Sequence, residues 1–187
     1  MSTPLSNSPS PTKREFSRTF RLLSRVSFWL HILLGGAAGI TLFLVILSRS
    51  FSEIANPFVG LGIFLAIGSL LVVGFRVYWA YRYTRLAKLL RSRDRNRHPS
   101  KTEIINVLRI GALVSFGGLL LGFLAAEVTT ITVLAKSLSQ PQGVAVYSPE
   151  NIVRAMDLFL VLATLNLIGA HFLGAMNSLG LLNWLED

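Results

Sequence analysis

The sequence predicts an all-α, polytopic membrane protein whose four transmembrane helices form two antiparallel hairpins. Three observations predict this fold class: an apolar composition, four long apolar segments, and basic residues concentrated on one side of those segments. Of the 187 residues, 52% are hydrophobic and only 14% are charged, whereas soluble domains carry roughly 25% charged residues. A chain this apolar cannot bury its hydrophobic surface by folding on itself in water, so the bilayer is its expected solvent.

Two segments precede the first predicted span. Residues 1–12 are rich in Ser and Pro, a composition that predicts disorder. Residues 13–26 place apolar side chains between arginines, which predicts an amphipathic segment lying on the membrane surface. No apolar core followed by a small-residue cleavage site is evident, so no cleaved targeting signal is expected.

The rest of the chain, residues 27–187, is predicted to be the transmembrane domain. A helix needs roughly 20 apolar residues to cross the ~30 Å hydrocarbon core, and barrel strands would show two-residue alternation. Four segments reach the helical length without that alternation, over about 27–48, 57–80, 107–135 and 152–182. Ser148 is suited to cap the fourth helix and Pro149 to its first position.

Basic residues predict the orientation. Five of the 18 Lys and Arg precede the first span, and ten lie within or beside the segment between the second and third spans. Because basic residues accumulate on the cytoplasmic side, fifteen of 18 on one side place both termini and this segment in the cytoplasm. Lipid headgroup contact is expected here, above all from Arg91, Arg93, Arg95 and Arg97. Nucleic-acid binding, the alternative interpretation of such a basic tract, is not expected.

Small residues recur at helical spacing in three of the spans. Gly35 and Gly39 are four apart in the first, and Gly118 and Gly122 are four apart in the third. This spacing lets helix backbones approach closely. Packing within the bundle is the simpler interpretation, and a substrate path along these residues is the alternative.

Three charged residues near the outer ends of the last two spans are candidates for a site. Arg154 and Asp157 are three apart and share a helical face, and Glu127 lies near the outer end of the preceding span. One interpretation is a structural ion pair among Arg154, Asp157 and Glu127. The other is a carboxylate site that recruits cations, since charge within a membrane usually pairs or serves a function.

A second tier of polar residues is predicted nearer the cytoplasmic side, at His31, Arg76 and His171. Imidazole and carboxylate ligands suit ferrous iron or manganese. A candidate cation path would then comprise Glu127, Asp157, Asn166, His171 and His31. No tight ligand spacing is present, so the metal stays unknown, and hydrogen bonding within the bundle is the alternative role.

Motifs of soluble enzymes are missing from the sequence. It contains no Walker sequence, no nucleophile elbow and no dinucleotide fingerprint in a strand–turn–helix context. It also contains no cysteine, which excludes disulfides, thiolate metal sites and cysteine nucleophiles. We therefore expect neither an enzyme nor a bound cofactor.

Several stretches resemble a known family. "FRVYWAYRYTRLAKLLR", "EVTTITVLAKSLSQPQGVAVY" and "DLFLVLATLNLIGAHFLGAMNSLGLLN" look like the cyanobacterial and plastid family of small four-helix membrane proteins related to the chloroplast inner-envelope protein Tic-twenty-one, also called permease in chloroplasts. The loop Leu134–Gly143 is the most specific part. Asp157 and His171 match the family pattern, whereas of its polar cluster in the fourth helix only Asn166 is kept.

The resemblance implies two classes of function. Family members are described as iron permeases and as components of a protein-import translocon. The chain is therefore expected to be a metal-cation permease or, alternatively, a non-transporting subunit or assembly factor that binds partner membrane proteins. A four-helix bundle leaves little room for a cavity, so transport would require a homo-oligomer. The resemblance implies the cyanobacterial plasma or thylakoid membrane as the location.

Overall fold

The computed structural model describes residues 11–48, 57–90, 99–139 and 153–186. They form four helices and no strand: α1 (Pro11–Ser48), α2 (Pro57–Leu90), α3 (Lys101–Leu138) and α4 (Ala155–Glu186). Each helix contains a stretch that is long and apolar enough to cross a membrane. The predicted fold class, an all-α polytopic membrane protein, is confirmed.

The four helices are arranged in a ring. Each helix packs against the helices before and after it, α4 closes on α1, and α2 touches α4 across the middle. Successive helices are antiparallel, so the start of α1, the end of α2, the start of α3 and the end of α4 meet at one end. We call this the basic end, and the opposite end the loop end. The two predicted hairpins, α1–α2 and α3–α4, form this ring.

Close approach of α1 and α2 depends on a glycine. A Cβ atom on Gly35 would lie 2.6 Å from Val73 Cγ1, nearer than carbon atoms can pack. Four residues later, Gly39 faces Leu70 in ordinary contact. The four-residue spacing seen in the sequence is therefore used for packing inside the bundle.

Two helix starts show how the sequence sets the ends of the elements. At α3, Ser100 is the N-cap and its Oγ accepts a hydrogen bond of 3.1 Å from the Glu103 backbone N–H. At α4, residues 153 and 154 are not helical and the helix begins at Ala155. This start is later than the one predicted from Ser148, which lies outside the described residues.

The N-terminal segment belongs to the bundle. Residues 13–26 are part of α1, which continues without a break into the first span. Phe20 is fully buried, and its ring centroid lies 5.9 Å from that of Tyr83 on α2. One face of the predicted interfacial segment is thus packed on protein. Of the predicted disordered residues 1–12, the first ten lie outside the described residues and Pro11 begins the helix.

Apolar packing falls into two clusters that are separated along the bundle axis. A layer of buried polar residues lies between the two clusters. The loop-end cluster contains Ala38, Leu42, Val45, Val59, Ile63, Ala66, Val73, Ala125, Leu160, Ala163, Leu167 and Ala170. The basic-end cluster contains Phe20, Trp79, Tyr83, Leu86, Ala87, Ile104, Val107, Leu108 and Leu181.

Candidate functional site

Asp157 is held by an ion pair at the loop end. The Nζ of Lys136 on α3 lies 3.2 and 3.1 Å from its two carboxylate oxygens. The backbone N–H of Arg154 donates to Oδ2 at 3.0 Å, so the carboxylate also satisfies a donor at the start of α4. Asp157 is 3% exposed. A lysine therefore neutralises this acid, and the same carboxylate stabilises the helix start.

Glu127 does not join this pair, contrary to the predicted three-residue network. Ala125 and Thr129 on the same helix are buried, and successive helical residues are rotated by about 100°. Glu127 therefore points away from the interior, and its side chain is exposed. It makes no hydrogen bond or ion pair within the described part of the chain. The sequence-based network had the right acid in Asp157 but missed Lys136.

A small cleft opens beside Asp157 at the loop end. Its volume is about 10 Å³, roughly the room that one water molecule needs. The hydroxyls of Thr129 and Thr132 are on its wall, but each donates to a carbonyl of its own helix, at 2.7 Å in both cases. The remaining lining residues are Phe58, Val59, Val133 and Leu160. The cleft thus offers oxygen atoms in a mainly apolar wall.

A buried polar layer lies between the two apolar clusters, nearer the basic end. We call it the polar core, and it contains His31, Ser69, Arg76, Ser115, His171 and Ser178, all buried. The three predicted second-tier residues are brought together here from three helices. The serines that complete the layer were not predicted, because single serines in an apolar span carry little signal before the facing helices are known.

Arg76 is the largest fully buried side chain among the described residues. Its Nη2 donates to the Gly174 carbonyl at 3.0 Å and to Ser178 Oγ at 3.4 Å, and its guanidinium carbon lies 5.8 Å from the centroid of the Tyr83 ring. Its Nε and Nη1 have no hydrogen-bond partner within the described chain. No described carboxylate forms an ion pair with it. Within the described residues, this positive charge is therefore buried without a counter-charge, which is costly.

Each of the two buried histidines uses one ring nitrogen. His31 Nδ1 lies 2.6 Å from the Ser27 carbonyl oxygen, and His171 Nε2 lies 3.2 Å from the Ser69 carbonyl oxygen. Because a carbonyl only accepts, those nitrogens are the donors. The other nitrogens, His31 Nε2 and His171 Nδ1, have no partner within the described chain, and in a neutral ring they are acceptors.

Glycines let the polar core close. A Cβ atom on Gly118 would collide with the His171 ring, and one on Gly111 would collide with the Tyr83 hydroxyl. A Cβ atom on Gly174 would lie 2.8 Å from His31 Nε2, 2.8 Å from Ser115 Oγ and 3.0 Å from Arg76 Nη2. Three polar atoms from three helices thus converge on the backbone of α4 at one point.

The predicted cation-path residues are not gathered into one metal site. Within the described residues, no three His, Asp or Glu side chains are placed so that they could share a metal ion. Asp157 is at the loop end, the two histidines are in the polar core, and Asn166 is half-buried on α4. The headgroup-binding candidates Arg91, Arg93, Arg95 and Arg97 lie outside the described residues.

Comparison with known proteins shows the family to which this chain is related. The family described as "Protein of unknown function (DUF3611)" matches residues 10–186. The chain is 34% identical over 175 residues to Protein TIC 21, chloroplastic, of Arabidopsis thaliana, covering 89% of this chain and 56% of that protein. It thus spans about half the length of this curated relative. No solved structure matches. The relationship inferred from the sequence is confirmed.

Proposed function

The chain belongs to the DUF3611 family, and on that premise we propose that it is a non-enzymatic membrane subunit that assembles with other membrane proteins. The observation that carries this proposal is the polar core. Arg76 holds a positive charge in the middle of the ring, and apolar clusters lie above and below it. A cation moving along the bundle axis would have to pass this charge in a low-dielectric interior, where repulsion is strong.

The outer surface of the bundle supports assembly. A Cβ atom on Gly36, Gly74 or Gly117 would meet nothing within 4 Å, so these glycines face outward. Outward-facing small residues let a helix of another protein approach closely. We further propose that both termini are cytoplasmic or stromal, in a plasma or thylakoid membrane. The basic segment between α2 and α3 would then contact anionic headgroups.

Partner capture in the native membrane tests this function. The chain has no cysteine, so a single Gly36→Cys carrying a photo-reactive group reports what touches this face. We expect discrete cross-linked membrane proteins or a second copy of the chain. Leu162→Cys is the control, because Leu162 is an exposed large side chain and no small residue lies three or four positions from it on its helix. Equal, diffuse labelling from both positions would contradict the proposal.

A second candidate, a metal-cation permease, is favoured by the cleft at Asp157. Its carboxylate and the two threonine hydroxyls are oxygen ligands, which hard cations prefer, although Lys136 competes for the carboxylate. Uptake of ferrous iron and manganese by liposomes holding the purified protein separates the two functions. Uptake that is abolished by Asp157→Asn, with folded yield unchanged, would establish the permease. Liposomes no leakier than empty ones would exclude it.

A further inference from the structure

The outward-facing side of α3 carries a heptad pattern. Its exposed residues recur at alternating spacings of three and four positions, which is the repeat of a coiled-coil seam. We call this face the α3 seam, and it consists of Gly117, Leu120, Leu124, Glu127, Ile131 and Leu134, all exposed. A Cβ atom on Gly117 would meet nothing within 4 Å. The described part of the chain therefore leaves this seam uncovered.

Glu127 is the charged position of the α3 seam, and it lies inside the apolar part of the helix. Exposed apolar side chains continue to Leu113 toward the basic end and to Leu138 toward the loop end, which is about 16 Å beyond Glu127 at 1.5 Å per residue. Helical Cβ atoms tilt toward the helix N-terminus, so the Glu127 side chain leans away from the loop end. It makes no hydrogen bond or ion pair with any described residue.

The position and charge of Glu127 restrict what can cover the seam. A charged side chain facing lipid is costly, and such residues usually pair with a group of complementary charge. An ionised carboxylate only accepts hydrogen bonds, whereas Lys and Arg only donate. A single polar residue in a heptad seam also fixes the register of the helix that packs on it. The complementary surface is therefore an apolar helix with one basic residue at the depth of Glu127.

We propose that the α3 seam docks a transmembrane helix of another membrane protein, with a Lys or Arg of that helix paired to Glu127. The apolar positions pack at the left-handed crossing common in membrane bundles, and Gly117 allows close approach of the two backbones. A second copy is a poor fit, because a two-fold axis would bring the same face of both copies together and oppose two Glu127 carboxylates. This inference rests on the proposed assembly function and adds the chemistry of the partner.

Binding of a synthetic transmembrane peptide in liposomes tests the seam. The probe is a leucine-rich peptide of about 23 residues with one Lys in its outer half, and the matched peptides carry Leu or Glu at that position. Energy transfer from a fluorophore on Ser139→Cys, beside the end of α3 in this cysteine-free chain, reports binding. We expect the Lys peptide to bind about tenfold more tightly than the Leu peptide. Equal binding of the two would overturn the proposal.

Charge variants at Glu127 show whether this carboxylate carries the preference. Glu127→Gln should bind the Lys and Leu peptides equally, and Glu127→Lys should prefer the Glu peptide. The melting temperature of the free protein should stay unchanged in Glu127→Gln, because the carboxylate has no partner within the described chain. A Lys-peptide preference that persists in Glu127→Gln would overturn the assignment.

Two glycine variants test the place of docking. Gly117→Trp should weaken binding of the Lys peptide, because a large ring would stand in the seam. Gly36→Trp is the matched control, since Gly36 also faces outward but on α1, and it should bind as the wild type does. Equal loss in both variants would show that the peptide does not dock on α3.

A mixture of donor-labelled and acceptor-labelled copies of the chain tests the other occupant. Energy transfer between copies that is lost in Gly117→Trp but kept in Gly36→Trp would assign the seam to a second copy and overturn the proposal. Failure of the peptide to bind, with discrete cross-links still formed from Gly36→Cys on α1, would remove the seam and leave the assembly function standing. Peptide binding without any cross-links from Gly36→Cys would support the seam and count against assembly through α1.

Discussion

At the scale of single residues, glycines decide where the buried rings lie. Gly117 and Gly118 are neighbours on α3 with opposite surroundings. A Cβ atom on Gly117 would meet nothing within 4 Å, whereas one on Gly118 would collide with the His171 ring. The same addition of one methyl group therefore has opposite consequences one residue apart.

We predict that Gly118→Ala destabilises the bundle by about 1–3 kcal/mol, because a methyl group forced into a packed core displaces its neighbours. Gly117→Ala is the matched control and should be neutral or slightly stabilising, since alanine favours helix over glycine by roughly 1 kcal/mol. Thermal unfolding in one detergent measures both. Equal effects of the two variants would show that His171 does not lie against α3.

The Lys136–Asp157 pair makes a second prediction at this scale. Lys136→Met and Asp157→Asn should each lower the unfolding free energy by about 1–3 kcal/mol, because each leaves a partly buried group without its partner. The double variant should cost less than the sum of the two. Lys136 is one-fifth exposed, so solvent screening keeps these losses below those of a fully buried pair.

Glu127→Gln is the control for this cycle. Its side chain is exposed and unpaired within the described chain, so the unfolding free energy should change by less than about 0.5 kcal/mol. Additive losses at Lys136 and Asp157, or strong coupling of either to Glu127, would contradict the contacts described above.

At the scale of elements, α1 is the helix whose role differs most from its sequence pattern. Its first third is basic and amphipathic, and such a pattern is typical of a helix on a membrane surface. In the bundle, however, Phe20 and Ser24 are fully buried, and Ser24 Oγ donates to the Phe20 carbonyl at 2.6 Å. The segment is therefore part of the basic-end cluster.

We predict that Phe20→Ala destabilises the protein by about 3–5 kcal/mol, the usual cost of deleting a buried aromatic ring. Leu22→Ala is the matched control, because Leu22 is two residues away in the same helix and 63% exposed; it should change stability little. Limited proteolysis between α1 and the rest of the bundle, together with thermal unfolding, measures both. Similar effects of the two variants would indicate that this segment lies on the membrane surface and not in the basic-end cluster.

At the scale of the whole molecule, the ring of antiparallel helices puts the segment after α2 and the segment after α3 at opposite ends. Single cysteines at Ser92 and Ser139 in this cysteine-free chain should therefore be labelled from opposite sides of the membrane. By the distribution of basic residues, Ser92→Cys is expected to be protected from an impermeant reagent added outside intact cells. Labelling of both positions from one side would contradict the four-span topology.

The number of spans could be predicted from the sequence alone. Each span is a long apolar run, and this signal does not depend on contacts with other parts of the chain. The helical continuation of the second span beyond residue 80 was also predictable, and α2 does extend to Leu90. The second tier of His31, Arg76 and His171 could be inferred from depth alone, since each is polar within an apolar run.

The tertiary structure decided which polar residues meet. Lys136 is 21 residues from Asp157, and Ser69 is 102 residues from His171, so their pairing depends on how each helix is rotated toward its neighbours. Apolar residues cover nearly every face of these helices, and hydropathy therefore does not distinguish the face that meets lipid from the face that meets protein. Packing of glycines against side chains on the facing helices sets that rotation. With this rotation, the Glu127 side chain faces outward and the Arg76 side chain faces the polar core.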